Sequence, residues 1–211
     1  MKSKIAIYFA GSIKKAHESS DDSFWTPEDL SVLKENLNGC EIVFLNPALR
    51  TDDLSDPRSA FGRDMIQVFS SNVVFVDARD RRGLGVGAEM MWAKINRIPV
   101  IVWAPRNSHY RKDQTTVLDV PVQNFIHPFV ESLSDKIVEN LEEGAKWIRE
   151  FIVDHSIEIK GIEAVSGAMQ YYKESQMQHD EPMKELLLSN EELEKRMHRM
   201  HPQVLIEEVS L

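Results

Sequence analysis

Short β-branched apolar runs alternate with stretches of helical period from Lys4 to Trp103, and that alternation leaves few folds open to the chain. Lys4–Ala10, Glu41–Leu45, Asn72–Asp77 and Ile98–Trp103 are each bounded by polar or turn residues and are too short for a helix, so each reads as a buried strand. Between them lie helical segments. Thr26-Pro27-Glu28-Asp29 sets one start, with Thr26 as N-cap, Pro27 at the first helical position and acids in the first turn. Leu30, Leu33 and Leu37 keep helical spacing there, and Asn38-Gly39 stops it. Arg58–Ser71 is a second helix, with Phe61, Met65, Val68 and Phe69 as its expected buried stripe, and Glu89–Asn96 a third, with Met90, Met91 and Ala93 available for packing. Strands and helices in this alternation pair their strands in parallel and lay helices on both faces. The expectation is an α/β fold with a parallel sheet of four or five strands.

Two polar loops, Gly11–Trp25 and Ala48–Pro57, interrupt this pattern, and beyond Pro105 it changes. Arg106–Val122 is polar and basic and is expected to be a long loop of the lid kind. Ser134-Asp135 is expected to open an amphipathic helix reaching about His155, with Ile137, Leu141, Trp147, Ile148 and Phe151 on its apolar side. Glu163–Gln178 and Glu181–Met200 read as two further helices, joined near Asp180-Glu181-Pro182. The chain therefore divides into an α/β domain, 1–155, and a helical C-terminal extension, 156–211.

Charge and cysteine content exclude several classes of function. With 34 acidic against 25 basic residues and a net charge of −9, the chain lacks the basic excess of a general nucleic-acid backbone binder, so no nucleic-acid partner is expected. Cys40 is the single cysteine, which excludes an internal disulfide and a cysteine-based zinc site and suits a reducing cytoplasm. The apolar run after Lys4 is too short for a signal peptide, and nothing approaches a membrane span, so a cytoplasmic protein with no membrane partner is expected. His109, His127, His198 and His201 sit in no metal-ligand pattern, and neither metal nor organic cofactor is expected.

The chemistry concentrates after the third strand. Gly83-Leu84-Gly85-Val86-Gly87-Ala88-Glu89 is a glycine-rich turn that opens a helix. A strand, such a turn and a helix start are where α/β proteins hold ligands, because glycines let backbone amides approach them closely. Here the turn delivers a carboxylate in place of a lysine or serine. A carboxylate so placed can act as a nucleophile, or can stabilise the positive charge that develops on an anomeric carbon as it loses its base. Gly11-Ser12 makes a similar turn after the first strand and offers amides and a hydroxyl to a phosphate. Arg79, Arg81 and Arg82 could add positive charge. Trp25 could stack on a base, but a hydrophobic staple bracing the following helix is the stronger reading.

Ile7-Tyr8-Phe9-Ala10-Gly11-Ser12-Ile13, Asp64 ahead of the third strand, and Gly85-Val86-Gly87-Ala88-Glu89 together resemble the nucleoside 2-deoxyribosyltransferase superfamily, over roughly Ile5–Pro105. The first and third pieces look closest to its 2′-deoxynucleoside 5′-monophosphate N-hydrolase branch. The resemblance implies a flavodoxin-like doubly wound sheet and a homodimer or larger homo-oligomer. It also implies cleavage of an N-glycosidic bond, with Glu89 as the nucleophile, Asp64 assisting the departing base and Tyr8 orienting Glu89. By the same resemblance Ser12, with Gly11, Gly83, Gly85, Gly87 and Lys14, would hold the 5′ end of a nucleoside or nucleotide. Asp77 is a second acidic candidate for the base. Asn124 would be the counterpart of a residue lent to the sugar end by a neighbouring subunit. The chain departs from the pattern at Gly83, where transferases carry Asp and the monophosphate hydrolases Ser, and at Asn72, where an aspartate is common. Base exchange between nucleosides and a non-catalytic nucleotide sensor stand as alternative functions.

Overall fold

The computed structural model describes residues 3–12, 25–49, 55–154 and 156–198. They divide into two compact units, with the break between Lys160 and Gly161.

In the first unit five parallel strands form one sheet in the order β2-β1-β3-β4-β7: β1 (Ser3–Ala10), β2 (Cys40–Leu45), β3 (Val73–Asp77), β4 (Val100–Trp103) and β7 (Lys136–Val138). The sheet is parallel, as the alternation predicts, and its strand order is consistent with the flavodoxin-like doubly wound fold that the resemblance implies. From β1 the chain crosses to β2 on one side and later returns to place β3 on the other, in the register Tyr8↔Val74 and Ala10↔Val76. Such a reversal opens a crevice at the carboxyl ends of the two strands. Gly11 and Ser12 follow β1 there, and the glycine turn follows β3.

Helices α1 (Pro27–Asn36) and α5 (Leu141–Val153) pack together beside the core that holds Ile7, Phe9, Val73, Phe75, Ile101 and Ile148. Helices α2 (Pro57–Phe69), α3 (Leu84–Ile95) and α4 (Pro128–Leu133) follow one another in contact. Strand alternation sends Tyr8, Val74, Val76 and Val102 to the face opposite Phe9 and Phe75. Thr26 caps α1 as the sequence predicts, within a reciprocal capping box with Asp29. α5 lies so close to β3 that a Cβ on Gly144 would come within 2.4 Å of the Phe75 ring, so this helix–sheet distance requires glycine. Fully burying a side chain such as Ile148 contributes about 2 kcal/mol. Trp25 belongs to this core. Its indole N–H donates to the Ala10 carbonyl at 3.1 Å and its ring meets Phe9, Phe75 and Trp103.

Four expectations are corrected. Residues Arg106–Val122 are not a structureless loop: β5 (Arg111–Val117) and β6 (Val120–Ile126) form an antiparallel hairpin turned by Leu118-Asp119, both with positive φ. Ser134-Asp135 does not open a helix. The Asp135 carboxylate accepts from the amides of Val100 and Lys160 and pairs with the buried Lys94 ammonium, which fixes β7 beside β4. α5 starts only after the Asn140 N-cap. In α2 the buried residue is Val68, whereas Met65 is half-buried and Phe61 and Phe69 are exposed, so the expected stripe is not the buried one. In the second unit α6 (Ile162–Ser175) is followed by α7 (Glu181–Ser189) and α8 (Glu191–His198), and Asn190 breaks the expected single final helix by capping α8. The first unit extends to Lys160, whose amide donates to the Asp135 carboxylate. Among the described residues no helix is long and apolar enough to cross a membrane.

Candidate active site

α3 begins after its N-cap Gly83, which makes no side-chain capping bond, so no cap side chain covers the amides of its first turn. Gly83, Gly85 and Gly87 are all exposed, and a Cβ on Gly85 would stand 3.9 Å from Glu89 Oε1. The glycines thus bare the helix start that leads to the carboxylate. Glu89 itself is only 8% exposed. The hydroxyl of Tyr8, a fully buried residue of β1, donates to Glu89 Oε1 at 2.8 Å. Glu89 Oε2 is buried and has no hydrogen-bond partner among the described residues.

The electrostatics follow from this arrangement. Burial pushes the Glu89 carboxyl up to about 7; the Tyr8 hydrogen bond works against the rise and the nearby charge of Asp64 adds to it. Burial, then the charge and hydrogen bond of Glu89, hold the Tyr8 phenol far above its ordinary range, so Tyr8 keeps its proton and acts as a donor. Asp64, on α2, pairs with Arg63 at 3.3 Å. The fold therefore brings Tyr8, Asp64 and Glu89 together from three elements that are distant in sequence.

Asp77 goes elsewhere. Its side chain follows Val73 and Phe75 on the α1/α5 face, where it is fully buried. Arg79 reaches it through Nε at 3.0 Å and Nη2 at 3.0 Å, also pairs with Asp29 at 3.2 Å, and stacks over Trp103 at 3.9 Å. Arg82 Nη2 pairs with Asp77 Oδ1 at 2.8 Å, and its Nε donates to the Asp77 carbonyl. Arg82 Nη1 donates to Ser12 Oγ at 3.1 Å, and its backbone N–H to the Tyr110 hydroxyl at 2.8 Å. Two of the arginines read as phosphate ligands are thus committed to Asp77, while Arg81 is exposed. Gly11 packs under Trp25, where an added Cβ would meet the indole at 3.1 Å. Asn124 is exposed in β6, with a left-handed backbone. Lys14 lies outside the described residues.

Sequence reasoning did not single out Arg63, Asp29 or Tyr110. Only Arg63 carried a signal, its adjacency to Asp64. The other two act through contacts across the fold. Among the described residues no group of three His, Cys, Asp or Glu side chains converges as a metal site. No protein-family model matches the chain, and no curated protein matches it.

Proposed function

We propose that this protein cleaves the N-glycosidic bond of a nucleoside or its 5′-monophosphate through a covalent glycosyl–Glu89 intermediate, as an enzyme of the nucleoside 2-deoxyribosyltransferase kind. The observation that carries the reading is the Glu89 carboxylate: buried at the switch-point crevice, held at one oxygen by Tyr8 and unmet at the other. In this reading the carboxylate attacks the anomeric carbon from the face opposite the base. The carbon–nitrogen bond breaks with its electron pair going to the base, which Asp64 helps to protonate. Water then opens the glycosyl ester and restores Glu89. The exposed amides of the α3 start, with Ser12, hold the 5′ end.

The reading extends to a cytoplasmic homodimer or larger assembly that needs no metal or organic cofactor. Base exchange uses the same intermediate with a second base in place of water. A panel of nucleosides and 5′-monophosphates, assayed by chromatography for released base, tests the proposal. Release from at least one member, lost in Glu89→Ala, supports it; release from none, with nucleotide bound and unchanged, would favour a sensor. A new nucleoside formed on adding a second free base would assign exchange.

A further inference from the structure

A cavity of about 250 Å³ adjoins the site above: it shares Gly83 and Gly87 at the start of α3, but its lining includes none of Glu89, Tyr8 and Asp64. Val76, Val86 and Met90 give it an apolar floor. Tyr110, His127 and Phe129 form an aromatic wall, with ring centroids 5.3 Å apart for the first pair and 5.9 Å for the second.

Size and charge narrow what fits. An apolar cavity of roughly 150 Å³ holds one benzene ring, and pockets for larger ligands start at roughly 300 Å³. The volume therefore suits one substituted or fused ring. Among the described residues Arg82 is the only Lys, Arg, Asp or Glu in the lining, and its charge is balanced within the cluster of Arg79, Arg82, Asp77 and Asp29. An ionic ligand would lose its water and gain no opposite charge. The Tyr110 hydroxyl accepts from the Arg82 amide and still has its own proton to give.

We propose that this cavity binds a neutral planar aromatic ring carrying one hydrogen-bond acceptor, with the ring against the Tyr110–His127–Phe129 wall and the acceptor on the Tyr110 hydroxyl. Gly83 and Gly87 line the cavity on the turns that lead to Glu89, so an occupant braces the glycine-rich helix start that presents the carboxylate. This inference does not depend on what reaction Glu89 performs.

The test is a titration of the full chain, labelled with 13C at its methionine methyls, with benzamide and separately with benzoate, which share a ring and differ in charge. Benzamide shifts the Met90 methyl saturably, and benzoate binds at least ~10-fold more weakly. Gly87→Leu fills the cavity, because a Cβ there meets nothing within 4 Å, and it abolishes the benzamide shift. Tyr110→Phe keeps the ring and loses the donor, and weakens benzamide by roughly 3- to 10-fold; this arm stands even if Gly87→Leu fails to fold. Absence of a saturable shift, equal binding of benzoate, or benzamide binding that Tyr110→Phe leaves unchanged overturns the proposal. Leu84, 96% exposed at the rim, supplies the competing outcome. If Leu84→Asp converts a dimer to a monomer by light scattering while benzamide leaves Met90 unmoved, the cavity is an interface between copies.

Discussion

Two buried carboxylates lie near the carboxyl edge of the same sheet and are treated in opposite ways. Asp77 is surrounded by the guanidinium groups of Arg79 and Arg82, and its network continues to Asp29 and Ser12. Glu89 receives one hydroxyl at Oε1, leaves Oε2 without a partner, and has a second carboxylate, Asp64, in its field. A buried charge that is fully paired holds a fold together. One that is left underpaired costs stability and keeps its lone pairs available for chemistry. The contrast separates a paired carboxylate from an underpaired one, and supports the role proposed for Glu89 without reference to any relative.

The largest effect should fall on turnover. Glu89→Ala should lower base release by at least ~10³-fold, by removing the nucleophile, while leaving a cooperative melt. Asp77→Ala should do the reverse in kind: it takes from the nearly buried Arg82 its carboxylate and leaves Arg79 with Asp29 alone, and should cost on the order of 3–5 kcal/mol in chemical denaturation. If the two variants exchanged these phenotypes, the division between the carboxylates would fail.

A smaller effect concerns pH and stability. The Glu89 carboxyl is raised from 4.5 to about 7, so the folded state binds its proton more tightly than the unfolded chain does. Stability from this group is therefore present below about pH 4.5 and is lost as pH rises through about 7. At ~1.4 kcal/mol per pH unit the loss is about 3 kcal/mol. Glu89→Gln, which mimics the neutral form, should be more stable than wild type by about that amount at pH 8, and the difference should shrink towards zero near pH 4.5. Denaturant melts at the two pH values check this; equal stability at pH 8 would mean that Glu89 is better solvated than its burial implies.

The smallest effects sharpen the same point. Activity should fall at acid pH with an apparent pKa near 7 as Glu89 takes up its proton. Tyr8→Phe removes the hydrogen bond that stabilises the carboxylate and should move this limb to higher pH. Asp64→Asn removes a repelling charge and should move it lower. The pH dependence of kcat/KM in the three proteins shows whether the shifts run in opposite directions.

Much of this was legible in the sequence, and the rest failed for identifiable reasons. The strands pairing around Tyr8, Val74 and Val100 announce themselves because buried parallel strands are continuous β-branched runs. Glu89 was visible because glycines preceded it. The β5–β6 hairpin was not, because its turn is Leu118-Asp119 with positive φ at both residues, where Asn-Gly or Asp-Gly would have signalled it. Strand β7 hid behind Ser134-Asp135, which reads as a helix cap until its carboxylate is seen serving Val100, Lys94 and Lys160. The pairing of Asp77 with Arg79 and Arg82 was not legible, because a basic loop read as charge for a ligand gives no sign in the sequence of the acid it meets in three dimensions.

The central claim is that Glu89 bonds covalently to the sugar. The direct measurement is acid-quench mass spectrometry of the protein during turnover of a substrate found to release base. A glycosyl mass added to the peptide containing Glu89 in the wild type, and absent from Glu89→Gln, is the expected result. Base release by Glu89→Gln at the wild-type rate, with no adduct on that peptide in either protein, would contradict the account.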